Sequence, residues 1–251
     1  MSVEIVTVPC LSDNYAFLVH AGGRTALVDA PEAAPIEAAL AERGWRLDEI
    51  WITHHHDDHV QAVPALREGA VVRGSSADRH KMPDFDAPFA PGDSFDFAGH
   101  AVHVIDVPGH TIGHVALHMP DADALFSADS LMALGCGRVF EGTMDQMWDS
   151  LSTLAALPED TVVYSGHEYT STNARFALTI EPDNAALRAR AEATFAAAER
   201  GEPTVPSRLA DELATNPFLR AGLNEVKTSL NMAGAPDAEV FAEIRRRKDS
   251  F

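Results

Sequence analysis

Up to about residue 168 the chain is a succession of short apolar or alternating runs, separated by Gly, Pro, Asp and Asn. Ala101–Val107 alternates between apolar and polar positions, the period of a half-buried strand. Val3–Val8, Tyr15–His20, Thr25–Val28, Ile50–Thr53, Ala70–Val72, Val115–Met119, Ala124–Ser127 and Val162–Ser165 read as further strands, bounded by turn residues. Helical spacing over Pro35–Arg43, His59–Arg67 and Asp145–Ala156 intersperses helices among them. From residue 169 strand patterns stop. Ala174–Ile180, Asn184–Arg200, Ser207–Ala214 and Asp237–Lys248 are rich in Ala, Glu and Arg with helical periodicity, punctuated by Pro182, Pro203, Pro206 and Pro217. The pattern predicts an α/β domain over 1–168 and a smaller all-helical domain over 169–251.

Composition adjusts this picture in three ways. A chain of 251 residues with 46% hydrophobic composition can bury a core for one large domain and a small one. Its two cysteines, Cys10 and Cys136, make no disulfide framework and point to a reducing compartment. The first residues carry an acid and no basic leader region, and no apolar run approaches the roughly 20 residues that span a bilayer. The expectation is a cytoplasmic protein that stays off membranes and acts as a monomer. The net charge of −19 lies almost wholly in residues 1–168, where 8 Lys+Arg stand against 26 Asp+Glu; residues 169–251 carry 11 against 12. Such acidity repels nucleic acid and anionic membranes at long range.

The chemistry concentrates in Thr53-His54-His55-His56-Asp57-Asp58-His59, directly after the apolar Ile50-Trp51-Ile52. Imidazole with carboxylate suits zinc, iron or manganese better than calcium or magnesium. On an extended chain His54 and His56 point the same way, and His55 and Asp57 face elsewhere. A helix starting after them would swing Asp58 and His59 toward a second ion. His110, Asp129 and His167 each follow another predicted strand, where sites on sheet scaffolds are commonly built. Any one alone reads as a turn or cap residue; the combination points to metal binding.

The same residues carry a family resemblance. Asn14-Tyr15, THHHDDH at 53–59, Pro-Gly-His-Thr at 108–111, Cys-Gly-Arg-Val-Phe-Glu-Gly at 136–142, Gly-His-Glu-Tyr-Thr at 166–170, Gly-Glu-Pro-Thr-Val-Pro-Ser at 201–207, Asn-Pro-Phe-Leu-Arg at 216–220 and the basic tail from Arg245 span essentially the whole chain. Together they resemble the metallo-β-lactamase superfamily and, within it, the glyoxalase II (hydroxyacylglutathione hydrolase) family. The resemblance implies an αββα sandwich with metals at one edge and a helical domain against it. It implies two divalent ions, zinc foremost: one held by His54, His56 and His110, the other by Asp58, His59 and His167, with Asp129 bridging. Asp58 and Asp129 then act in catalysis with a hydroxide shared by the metals, since two such ions bring water's pKa toward neutrality.

The substrate implied is S-D-lactoylglutathione or a related 2-hydroxyacylglutathione, and the reaction is the second step of methylglyoxal detoxification. Arg138, Phe140, Tyr169, Arg245 and Lys248 are placed around the glutathione moiety. The basic groups must overcome the acidic field of the whole chain. Phe140 stands where the family commonly carries tyrosine, so one hydroxyl contact is absent. His114 is surplus to the ligand set and reads as structural. Asp29 either orients a ligand histidine or caps a turn. His20, His80, His100, His103 and His118 have no partner pattern. Three other readings compete with this one. A persulfide dioxygenase uses one iron and typically lacks this helical region. A β-lactamase is usually exported. A binding module would be expected to have lost ligands.

Overall fold

Strands buried on both faces form the centre of the molecule, which is why several read as near-continuous apolar runs. The computed structural model describes residues 2–251; Met1 lies outside them. β1 (Glu4–Cys10), β2 (Asn14–Ala21) and β3 (Arg24–Val28) pair antiparallel, and β4 (Leu47–Trp51), β5 (Val71–Ser75) and β6 (Ala87–Phe89) continue parallel to β3 in one six-stranded sheet. β7 (Ser94–Phe97), β8 (His100–Asp106), β9 (Val115–Met119) and β10 (Ala124–Ala128) run antiparallel in a second sheet. A small hairpin, β11 (Leu131–Met132) and β12 (Gly135–Cys136), follows. β13 (Val162–Ser165) joins the second sheet parallel to β10, and β14 (Ser207–Arg208) closes its edge.

Alternation along each strand sorts side chains into layers. Phe17, Val19, Ala26, Val28 and Trp51 of the first sheet meet Val102, Val104, Leu117 and Phe126 of the second. On the outer face of the first sheet, Leu18, Leu27 and Ile50 pack under Ile36 and Leu40 of α1 (Ala33–Arg43). Short α2 (Asp57–Val60) and α3 (Val63–Leu66) flank that layer. On the outer face of the second sheet, Ala116, Leu125 and Val163 pack under Met147, Leu151 and Leu154 of α4 (Met144–Ala155), a helix started by a Thr143–Gln146 capping box. The result is the αββα sandwich, with a helical C-terminal region of α5 (Thr170–Ile180), α6 (Ala185–Glu199), α7 (Leu209–Thr215), α8 (Asn224–Ser229) and α9 (Asp237–Asp249).

Three expectations need correcting. The helix over His59–Arg67 is two separate turns: the Ala62 amide donates to the Ala30 carbonyl rather than continuing the helix, and Pro64 has no amide to donate. β6, β7, β11, β12, β14 and α8 are too short for a periodic signal. Strand character does not stop at 169, because Ser207 and Arg208 pair with Val163 and Val162. Among the described residues no helix is long and apolar enough to cross a membrane.

A buried polar anchor holds the helical region to the sandwich. Asn216 Nδ2 donates to the carbonyls of Met132 (3.1 Å) and Gly135 (2.9 Å), and the Glu212 carboxylate accepts from the Leu134 amide at 2.8 Å. Phe218 and Phe241 pack beside this anchor, both fully buried.

Candidate metal centre

The carboxyl ends of β3, β4, β8, β10 and β13 converge on one edge of the sandwich. The first two are parallel neighbours; the last three share a direction within the second sheet. Hydrogen bonds stitch the two sheets there: the Tyr15 amide donates to the Gly166 carbonyl at 2.8 Å and the Val115 amide to the Thr53 carbonyl at 3.0 Å. The chain past these strand ends supplies the candidate ligands.

Donor atoms of His54, His56 and His110 lie within 4.8 Å of one another, and so do those of Asp58, His59 and His167. Asp129 stands between the sets. Its Oδ1 is 3.5 Å from His59 Nε2, and its Oδ2 is 3.4 Å from His110 Nε2 and 3.3 Å from His167 Nε2. The spacing argument is met in space: His55 turns away to Asp78 at 2.7 Å, and α2 carries Asp58 and His59 to the other set.

Four of the five rings are held from behind. His59 Nδ1 donates to Asp29 (2.8 Å), His167 Nδ1 to Asp13 (2.9 Å) and His110 Nδ1 to the Arg138 carbonyl (2.8 Å). His54 Nδ1 donates to Thr53 Oγ1 at 3.0 Å, and that hydroxyl donates to Asp29 at 2.8 Å. These bonds fix the tautomer of those four rings and leave their Nε2 lone pairs facing the shared space. Asp29 thus orients rings, from a backbone at φ 57° that turns its carboxylate back under the loop.

The arrangement fits two cations. His54 Nε2, His59 Nε2 and Asp129 Oδ1 are buried without a hydrogen-bond partner, and His110 Nε2 faces His56 Nδ1 at 3.0 Å. Converging lone pairs of this kind are costly unless a positive charge meets them. Burial, with neighbouring rings, keeps His54 well below the ordinary imidazole range and lowers His56 and His110, so these rings stay neutral as ligands must be. Burial also opposes charge on His59 and Asp129. Asp129 and Asp29 nonetheless raise His59 to about 9, and His59 and His167 hold Asp129 far below the usual carboxylate range.

Gly166 and Gly137 permit this crowding. A Cβ on Gly166 would lie 2.5 Å from Asp129 Oδ1 and 2.9 Å from His59 Cε1; one on Gly137 would lie 2.0 Å from the Asp129 carbonyl oxygen.

A cavity of about 620 Å³ is lined by His56, Asp58, His110, Asp129 and His167, and also by Arg138, Phe140, Tyr169, Arg245 and Lys248. Tyr169 stacks on His167 with centroids 4.6 Å apart. Phe140 is 62% exposed and leans over the rings of His56 and His110. Lys248 sits beside Phe176 and Phe251; burial, with Arg245 and Arg138 nearby, lowers its ammonium to about 8. Arg245, expected beside glutathione, lines this cavity with its guanidinium engaged by the protein itself. It is only 3% exposed, with Nη1 donating to the Cys136 carbonyl at 2.8 Å and Nε and Nη2 paired with Asp249. Arg246 and Arg247, on the solvated side of the same helix end, pair with Glu243.

His114 accepts a 3.3 Å hydrogen bond from the Asp129 amide and stacks on His54, a supporting place. Sequence reasoning gave no role to Asp13, or to Asn14, whose Nδ2 donates to Asp58 at 3.0 Å. Only pairing across the two sheets brings the 13–14 turn to the site.

Comparison with known proteins agrees with this geometry. The metallo-beta-lactamase superfamily matches residues 11–167, and the hydroxyacylglutathione hydrolase C-terminus matches residues 168–251. The chain is 62% identical to the hydroxyacylglutathione hydrolase of Roseobacter denitrificans over 255 residues, covering 100% of both. It is 60% identical to that of Ruegeria pomeroyi over 255 residues, again covering 100% of both. In fold it is similar to the BLEG-1 B3 metallo-beta-lactamase, with a TM-score of 0.68 at 20% identity over 86% of this chain and 99% of that one. With two His/Asp clusters meeting on one carboxylate inside this sandwich, the chain belongs to the hydroxyacylglutathione hydrolase, or glyoxalase II, family of thiolester hydrolases in the metallo-β-lactamase superfamily.

Proposed function

We propose that the protein hydrolyses S-D-lactoylglutathione and related 2-hydroxyacylglutathiones to the free hydroxy acid and glutathione. The observation that carries this reading is the single cavity lined both by residues of the two clusters and by Arg138, Tyr169 and Lys248. His54, His56 and His110 would hold one cation, Asp58, His59 and His167 the other, and Asp129 both; the donor set suits zinc first, then iron or manganese. Such a pair supplies Lewis acidity and a water nucleophile at neutral pH.

The chain's own residues do the rest. Arg138 and Lys248 meet the glutathione carboxylates against the acidic field of the chain, and Tyr169 borders the acyl end beside His167. Arg245 acts by holding the Cys136 backbone under Arg138. The thiolate leaves with little help, its conjugate thiol having a pKa near 8.5. Residues 1–168 are read as the catalytic domain and 169–251 as the substrate-binding domain, with Arg138 and Phe140 contributed across the boundary. The same reading makes the protein a cytoplasmic monomer, in keeping with free thiols at Cys10 and Cys136.

The test is loss of thioester absorbance with S-D-lactoylglutathione, with metal analysis of the same sample. Two transition-metal ions per chain and steady hydrolysis are expected. One iron per chain, with oxygen consumed on a glutathione persulfide, would overturn the assignment. KM in that assay should rise above about pH 8, where Lys248 loses its proton and with it an attraction for the anionic substrate.

Phe140→Tyr probes the departure from the family. At 62% exposure over the cavity, an added hydroxyl needs no buried partner, so the melting temperature should hold. One neutral hydrogen bond contributes roughly 0.5–1.5 kcal/mol net, lowering KM about two- to tenfold. Turnover should barely change, since ground and transition states share the contact. An unchanged or higher KM would remove this position from glutathione recognition.

A further inference from the structure

His55, the middle histidine of the run, belongs to neither cluster. Its Nδ1 lies 2.7 Å from Asp78 Oδ2 and its Nε2 lies 3.4 Å from Glu141 Oε1. Asp78 is 2% exposed and packed so closely against Gly113 that a Cβ there would come within 2.4 Å of its carboxyl carbon. Lys81 reaches into the same group, 2.7 Å from Glu141 and 3.7 Å from Asp78. These groups could be mistaken for a third metal site, but the Lys81 ammonium already supplies the positive charge between the two carboxylates. Glu141 also accepts from the Ile112 amide at 3.0 Å through Oε2. One side chain therefore gathers two donors, Lys81 of the 76–82 segment and the Ile112 amide of the turn after His110, with the His55 ring of the ligand-bearing loop in contact beside them.

The segment carrying Glu141 is the one that faces substrate. The Phe140 amide donates to the His110 carbonyl at 3.3 Å and the Gly142 amide to the Gly109 carbonyl at 3.0 Å. The Arg138 carbonyl accepts from His110 Nδ1 at 2.8 Å. Phe140 itself is largely exposed and meets only the rings of His56 and His110. Side-chain bonds from Glu141 add to these backbone bonds in holding the segment's outer end.

We propose that Glu141, gripped by His55, Lys81 and the Ile112 amide, is a positioning residue that holds the 138–142 strip, and with it Arg138 and Phe140, against the cavity for glutathione-thioester binding. The assignment rests on the proposed function for its substrate, though the clamp itself does not. Its signature is a loss of binding without loss of metal: the contacts it positions lie away from the reacting carbon, so they act on KM more than on kcat.

Glu141→Ala, Glu141→Gln and Lys81→Met are compared with the unaltered holoenzyme by metal content, steady-state kinetics with S-D-lactoylglutathione, and hydrogen exchange of the 138–142 amides. Glu141→Ala is expected to raise KM roughly tenfold with kcat changed less than about threefold, metal content intact, and exchange at Phe140 and Gly142 accelerated. Glu141→Gln should recover part of the KM, because its amide oxygen still accepts from Ile112. Lys81→Met, which removes only the outermost arm, should move KM in the same direction by less, and decides the matter if Glu141→Ala does not fold. Unchanged exchange across 138–142 would overturn the clamp, and faster exchange with unchanged KM would overturn its role in binding. Metal loss in step with kcat would make the cluster a support of the metal loop instead. Failure of the unaltered enzyme to cleave the thioester would refute the proposed function, with the exchange result still deciding whether the clamp exists.

Discussion

Asp129→Ala is expected to lose metal from both clusters at once, and hydrolysis with it. Oδ1 faces His59 while Oδ2 faces His110 and His167, so one carboxylate lies against both sets. Loss of a group merely behind a ligand typically costs 10–100-fold in metal affinity or activity. Removal of a shared ligand should exceed this, lowering kcat/KM by about a thousandfold or more. Asp58→Ala is the control, since Asp58 belongs to one cluster and should empty that cluster alone. Metal analysis after dialysis, beside the thioester assay, checks both. A full complement of metal in Asp129→Ala would refute the bridging role.

The largest effect on stability is expected from a residue that touches neither cluster. Glu212 is fully buried, pairs with Arg190, and accepts from the Leu134 amide (2.8 Å), Ser207 Oγ (2.7 Å) and Asn216 Nδ2 (3.0 Å). Glu212→Ala would strand the largely buried Arg190 and orphan the Leu134 amide. Breaking a buried pair from one side costs roughly 3–5 kcal/mol. For a chain of this size that lowers the melting temperature by on the order of 10 °C. Well below the transition, metal content should stay normal. A melting point within about 2 °C of the parent would mean that the helical region is held by apolar packing alone, through Phe218 and Phe241.

The tail shows why binding and folding have to be probed by substitution rather than truncation. Arg245 and Lys248 lie on the same helix as Phe241 and Ile244, both fully buried in the core beneath the second sheet. Removing the last turns would expose that core before it said anything about glutathione. The acidity of the chain is offset locally where Arg138 and Lys248 line one cavity.

Local rules were enough to read the strands, the helical C-terminal region and the run from His54 to His59, because periodicity and spacing are properties of consecutive residues. The two-apart rule placed His54 and His56 together and sent His55 elsewhere. The resemblance named the remaining ligands, but nothing along the chain placed them in space. Asp13 behind His167, Asp29 behind His59, and Asn14 on Asp58 are brought together by β1–β3 pairing and by the meeting of the two sheets at one edge. Likewise, no spacing rule could separate Arg245, sunk against Cys136 and Asp249, from Lys248 in the same cavity, or pair His55 with Glu141. Those outcomes depend on which neighbours long-range packing delivers, since a buried charge or lone pair must find a partner wherever the fold brings one within about 3 Å.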